Sequence, residues 1–277
     1  MKNGIYLVAT PIGNIQDITL RAIEVLQAAD IIACEDTRMG KKLFNLLNLS
    51  MTDKKFIPLH DHNESTDSVK IIQAAQNGHI VAYISDAGSP LISDPGYKLG
   101  HLARAQNVYL TAIPGACAAI CALQISGLPS NNFTFCGFIP NKDKARRDFL
   151  AKYHSYDSTL IFYERADRLL KTLEALKDCY SSREIAIARE LTKLYEECFS
   201  GNLAEVISHF TDNPPKGEIV LLVAPPQEDE TNCDYTAELK QEIAHHNLKT
   251  AVKNITEKYH LSRNEVYQKA LELKSDD

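Results

Sequence analysis

The chain has 277 residues, 44% hydrophobic and 24% charged, a globular balance that excludes fibrous and disordered classes. Thirty basic against 36 acidic residues leave a net charge of −6, which excludes capture of nucleic acid by diffuse positive charge but leaves room for a local basic cleft. The length predicts about two domains.

No apolar run approaches the ~20 residues of a membrane span, and the first apolar segment, Ile5–Ala9, is shorter than a signal-peptide core. Seven cysteines, an odd number with no Cys-x-x-Cys pair, point to reduced thiols in the cytoplasm rather than disulfides or a zinc site.

Short β-branched runs at Ile5–Ala9, Ile31–Cys34, Phe56–Leu59, Ile80–Ser85 and Val108–Ile113 alternate with amphipathic stretches such as Leu20–Ala29 and Val69–Gln76. This rhythm predicts an α/β domain over residues 1–113, with a parallel sheet and its ligand site in the loops at the strand ends. Residues 114–224 predict a second α/β domain with a mixed sheet. Its strands are Phe133–Phe138, Thr159–Tyr163, Glu184–Arg189, Tyr195–Ser200 and Glu218–Ala224, and its helices Arg165–Lys177 and Asn202–Phe210. A linker follows at 225–234. The tail, 235–277, predicts helices over 235–246, 249–258 and 262–273, with capping-box spacing at Ser262 and Glu265 and a helix-turn-helix turn at Tyr259–Ser262. The two α/β segments each carry a net charge of −1 and the tail with its linker −4.

The candidate chemistry sits after the strands. Thr10-Pro11-Ile12-Gly13-Asn14 is either a tight turn or a backbone that approaches a ligand; it lacks both the Gly-x-Gly-x-x-Gly and the P-loop pattern. Cys34-Glu35-Asp36-Thr37-Arg38 places three charges after a buried strand, either in a cleft or as a rim ion pair. His60-Asp61-His62-Asn63-Glu64 reads as a substrate contact, a helix cap or, without a second cluster to complete it, a metal site. The densest segment is Ser85-Asp86-Ala87-Gly88-Ser89-Pro90-Leu91-Ile92-Ser93-Asp94-Pro95-Gly96, which exposes backbone groups and carboxylates suited to a cationic ligand. Ile113-Pro114-Gly115-Ala116-Cys117 adds a turn that opens a small-residue helix. Asn141-Lys142-Asp143-Lys144-Ala145-Arg146-Arg147 is the one concentrated basic run, either a solvated helix start or an RNA backbone contact.

Together these segments resemble the tetrapyrrole methylase superfamily of S-adenosyl-L-methionine-dependent enzymes, and within it the bacterial 16S rRNA (cytidine-2′-O)-methyltransferases. Gly127-Leu128-Pro129, Gly137-Phe138-Ile139-Pro140, Ala188–Lys193 and Pro214–Leu221 continue the likeness, which covers roughly residues 4–224. The resemblance implies two α/β domains with a cofactor cleft between them, usually in a homodimer. It places Thr10, Pro11, Asp86, Ala87, Gly88, Ile92, Ser93, Ala116, Cys117, Phe162, Tyr163, Leu191, Gly217 and Glu218 along the cofactor. Asp86 would serve its cationic groups, and Ile92, Phe162 and Leu191 would cover its adenine.

Two departures stand out. Relatives commonly read Pro-Gly-Pro-Ser-Ala where this chain has Pro114-Gly115-Ala116-Cys117-Ala118, and Glu-Ser-Pro-His-Arg where it has Glu164-Arg165-Ala166-Asp167-Arg168. A hydroxyl is missing at 117 and a histidine at 167.

The implied reaction is methyl transfer to a ribose hydroxyl of 16S rRNA in the small ribosomal subunit, which needs no metal. Asp36, Glu190 and Lys193 are the candidate proton acceptors by motif position. Arg38, His60, His62, Asn63, Glu64, Lys142, Lys144, Arg146, Arg147 and Lys216 are the candidate RNA contacts. A small-molecule tetrapyrrole methyltransferase and a non-catalytic nucleic-acid-binding protein led by the tail are the rival readings. The acidic tail opposes the second of these.

Overall fold

A computed structural model of the chain describes residues 1–226, 235–259 and 263–275. By its contacts the chain forms two compact units. The first comprises Met1–Ala122 with Arg189–Glu197, and the second Leu123–Ala188 with Cys198–Asp277. The division departs from a cut at residue 113 in two ways: the turn after that strand and most of the next helix stay with the first unit, and so does the excursion Arg189–Glu197.

The first unit alternates strand and helix: β1 Gly4–Val8, α1 Leu20–Ala28, β2 Ile31–Cys34, α2 Thr37–Leu46, β3 Lys55–Pro58, α3 Glu64–Gln76, β4 Ile80–Ile84, α4 Tyr97–Ala105, β5 Leu110–Ile113 and α5 Ala118–Ile125. Its five strands run parallel in the order β3-β2-β4-β1-β5. The predicted parallel sheet is therefore present, and its helices cover both faces. Ala22, Val25 and Leu26 of α1 and Phe44 of α2 pack on one face with Val8 and Ile84. Ile71 and Ile72 of α3 and Leu99 of α4 pack on the other with Ile5 and Tyr83.

β1 and β4 are neighbours, yet the chain leaves β1 for α1 on one face and β4 for α4 on the other. A crevice must open at their carboxyl ends, where ligands bind in sheets of this kind.

The second unit holds a sheet in the order β6-β7-β10-β8-β9, built from β6 Phe133–Phe138, β7 Thr159–Arg165, β8 Ile185–Arg189, β9 Glu197–Gly201 and β10 Glu218–Val223. β6 and β7 are parallel and β7 and β10 antiparallel, so the sheet is mixed as expected. α6 Asp143–Lys152, α7 Leu169–Tyr180 and α8 Leu203–Asp212 accompany it. Asn202 and Glu205 close a capping box on α8.

The helix expected over Arg165–Lys177 starts four residues late. Glu218 still pairs with Arg165, which extends β7, and a 3-10 turn over Ala166–Arg168 intervenes.

In the tail, α9 Thr236–His245, α10 Leu248–Tyr259 and α11 Arg263–Ser275 share a small core of Tyr235, Leu239, Val252, Ile255, Val266 and Ala270. The expected capping box at Ser262 and Glu265, the turn through Ser262 and most of the linker lie outside the described residues.

Candidate active site

The loops after β1, β4 and β5 are knitted at the crevice. Thr10 and Gly88 exchange two backbone hydrogen bonds: Thr10 N–H donates to Gly88 O at 2.9 Å and Gly88 N–H to Thr10 O at 3.1 Å. The hydroxyl of Thr10 donates to Ser85 O, and that of Ser89 to Ala116 O at 3.1 Å, tying the β4 loop to the β5 loop. Gly88 is left-handed at φ +82°, a conformation that only glycine adopts at no steric cost.

Further along the same loop, Leu91 (φ +71°) and Ser93 (φ +62°) are left-handed without being glycine. Such strain persists where the surroundings over-determine the backbone, and it clusters at ligand sites. Here the far end of the loop is pinned. Tyr83 donates its hydroxyl hydrogen to Pro95 O, and Glu64 accepts the N–H groups of Gly96 and Lys98 at 2.8 Å each.

Three carboxylates gather at the ends of β2 and β4. Asp36 caps α2, accepts from the Arg38 backbone and holds the Arg38 guanidinium through both oxygens. Those bonds hold its carboxyl down at about 2. The Asp36 N–H donates to Asp86 Oδ1 at 3.4 Å. Asp86 is pushed above the usual carboxylate range by burial and by the charge of Asp36. Glu35 is raised too, by burial and then by Asp86 and Asp61.

A pocket of about 470 Å³ opens beside these groups, bordered by Thr10, Pro11, Asp86, Ala87 and Lys193. Its other walls are Ile12 and Ile15 from the β1 loop and Met39, Lys42, Leu43 and Leu46 from α2. The excursion Arg189–Glu197 reaches this pocket because Gly13 lacks a side chain: a Cβ there would stand 2.6 Å from Lys193 Cγ and 3.0 Å from Leu191 O. Lys193 donates to Glu190 at 3.0 Å.

Of the expected cofactor residues, Thr10, Pro11, Asp86, Ala87, Gly88, Ile92, Ser93, Ala116, Cys117 and Leu191 lie in the first unit, at its strand-end loops and excursion. Phe162, Tyr163, Gly217 and Glu218 lie in the second, on β7 and at the start of β10.

Four of the expected site residues are engaged within the fold. Phe162 is 0% exposed, in a core that includes Leu173, Ile187 and Leu221; Tyr163 beside it is half-buried against Phe135 and Phe138. Glu64, 6% exposed, accepts from the amides that open α4. Asn63 is spent on its own turn, accepting from His60 N–H and donating to Pro58 O. Arg146, 3% exposed, donates to Asn141 O and lies 3.6 Å from Asp143.

The rest of the basic run divides. Arg147 pairs with Asp143 and Asp178, while Lys142 and Lys144 are exposed with no ion-pair partner among the described residues. His60 and His62 stand edge to face at 6.0 Å, and Lys216 is exposed just before β10.

The α2 wall is not among the expected site residues. Met39, Leu43 and Leu46 fall at i, i+4 and i+7 directly after the Glu35–Arg38 motif, the one signal that could have found them.

Comparison with known proteins settles the family. The sequence profile of the tetrapyrrole (corrin/porphyrin) methylases matches residues 4–207. The chain belongs to the tetrapyrrole methylase family. Among curated members, ribosomal RNA small subunit methyltransferase I of Erythrobacter litoralis is 50% identical over 99% of this chain and 97% of its own length. The protein of the same name from Escherichia coli O157:H7 is 41% identical, over 97% and 94%.

Solved structures agree on the fold. Diphthine synthase superposes with a TM-score of 0.61 at 13% identity, over 79% of this chain and 89% of its own. Uroporphyrin-III-C-methyltransferase from Thermus thermophilus gives 0.55 at 19%, over 80% and 94%.

Proposed function

We propose that this methylase transfers a methyl group from S-adenosyl-L-methionine to the 2′-hydroxyl of a cytidine in 16S rRNA, acting in the cytoplasm on the small ribosomal subunit as a homodimer. The observation that carries the reading is the near full-length likeness to relatives named as small-subunit rRNA methyltransferases. The uroporphyrin enzyme shares the fold at 19% identity, which does not favour a tetrapyrrole substrate. The homodimer rests on the family resemblance alone.

The residues of the first unit fit the cofactor. Its sulfonium and ammonium are cations, and Asp86 borders the pocket at the crevice with Glu35 and Asp36 nearby. Gly88 and Gly115 let the strand-end loops pack closely, since a side chain there would press on Ile12 or on Ala9 Cβ. Ile92 offers an exposed apolar face, and Leu191 a smaller one. When bound, the cofactor supplies an electrophilic methyl with a neutral thioether as leaving group.

The protein's part is to place a ribose oxygen in line with that methyl, about 3–3.5 Å away, and to take its proton. Asp36 is a poor base, because its bonds to Arg38 hold it ionised at about 2. Glu190 and Lys193 hold each other, so a proton arriving at Glu190 Oε1 would displace the lysine.

The test is reconstitution. Small subunits from a strain lacking the gene, incubated with the purified protein and labelled cofactor, are expected to gain one 2′-O-methylcytidine in 16S rRNA. An unlabelled rRNA, or a label on a base, would sink the proposal.

A further inference from the structure

Two of the large apolar side chains on α2, Met39 and Leu46, lie outside the core, while Leu43 packs partly against it. Met39 and Leu46 are 39% and 57% exposed, and with half-buried Leu43 they wall the 470 Å³ pocket of the first unit. Exposed apolar side chains gathered in a concave site mark ligand contact more often than scattered ones do. Ile12 and Ile15 border the same space from the β1 loop.

The pocket is also electrically divided. Lys42 lines it with no ion-pair partner among the described residues, and Lys193 lines it with a single bond to Glu190. Asp86, at the strand ends, is its carboxylate.

We propose that this pocket receives the acceptor nucleotide of the RNA, its base covered by Met39, Leu43 and Leu46 and its flanking phosphates held by Lys42 and Lys193. The proposal rests on the rRNA methyl-transfer reading and names the acceptor side of that site.

Charge selects the occupant. S-adenosyl-L-methionine carries a sulfonium and an ammonium against one carboxylate, a net positive charge that two lysines disfavour, whereas Asp86 at the pocket's edge can face it. A nucleotide carries phosphates for the lysines and an apolar base face for the α2 wall. A base taken out of its stack needs such cover, since its faces lose their neighbours on leaving the strand. The pocket's size suits one nucleotide rather than a helix of RNA.

Two measurements on the full chain with unmethylated small subunits test this. With p-benzoylphenylalanine at Leu46, irradiation is expected to crosslink within a few nucleotides of the methylated cytidine, and the same probe at Leu20, elsewhere on the unit, is expected not to. Lys42→Gln is expected to raise KM for subunits about tenfold, the scale of one lost charge-assisted contact, with cofactor affinity by calorimetry unchanged. A Leu46 probe that crosslinks elsewhere or not at all, or a Lys42→Gln variant with unaltered KM or weakened cofactor binding, overturns the proposal. Failure of the underlying reading is separate: the unmodified protein would then leave the rRNA unmethylated.

Discussion

Glu64, at the first turn of α3, accepts the backbone N–H of Gly96 at 2.8 Å, joining the start of one helix to the end of the cofactor-loop candidate. The same oxygen takes the Lys98 N–H, so one carboxylate satisfies two amides at the start of α4. It fixes where the strained loop ends.

Removing that acceptor should therefore cost stability. Glu64→Ala would leave one buried and one part-buried donor unpaired, and the unfolding free energy is expected to fall by about 1–3 kcal/mol in denaturant titration. Glu64→Gln keeps an accepting oxygen and should lose about half as much or less. Equal losses would show that the amides are not what the carboxylate serves.

Phe162 tests core against cofactor. Phe162→Leu is expected to lower stability by about 1–2 kcal/mol through lost packing with Phe149 and Tyr153. Its affinity for S-adenosyl-L-methionine should stay within about twofold. A selective loss of affinity at unchanged stability would restore the ring to the cofactor.

The carboxylate trio predicts a pH effect with a definite sign. Asp86 must be ionised to hold a cation, and its pKa is raised by burial and by Asp36. Cofactor affinity should thus fall on acidification at a higher pH than for an ordinary carboxylate. Asp36→Asn removes a negative neighbour and frees Arg38, both of which lower the Asp86 pKa, while the backbone donor to Asp86 and a capping side chain remain. The acid limb of affinity against pH should move down; calorimetry across the range would show an unmoved or rising limb if the coupling is absent.

Gly13 should resist substitution. An alanine Cβ would meet Lys193 Cγ at 2.6 Å and the Leu191 carbonyl at 3.0 Å, and the second neighbour is backbone. Gly13→Ala is expected to cost about 1–3 kcal/mol and to displace the Glu190–Lys193 pair. Reduced methylation at unchanged thermal stability would argue for a direct part of that segment in the reaction.

The fold class was legible in the chain itself. β-branched runs alternating with amphipathic helices specify parallel strands, since burial on both faces leaves no polar alternation to mislead, and β2 is buried at all four positions. The ordered loop motifs likewise marked the strand-end crevice. Residues such as Asp86 were readable because a carboxylate after a buried strand has few uses other than a cleft.

What the linear text could not contain was which polar groups are already spoken for. Glu64, Asn63 and Arg146 look like free ligands in sequence, and only the fold supplies the amides and carbonyls that use them. Phe162 and Tyr163 are adjacent, and only sheet pairing decides which faces the core. The α2 wall and Lys193 lie about 150 residues apart in the chain, and a bare α-carbon at Gly13 is what lets them border one pocket. Composition and charge excluded a broadly basic RNA binder, and that still stands. Tertiary structure decided where the few useful charges meet, because hydrogen-bond saturation and contact across the chain are properties of neighbours in space.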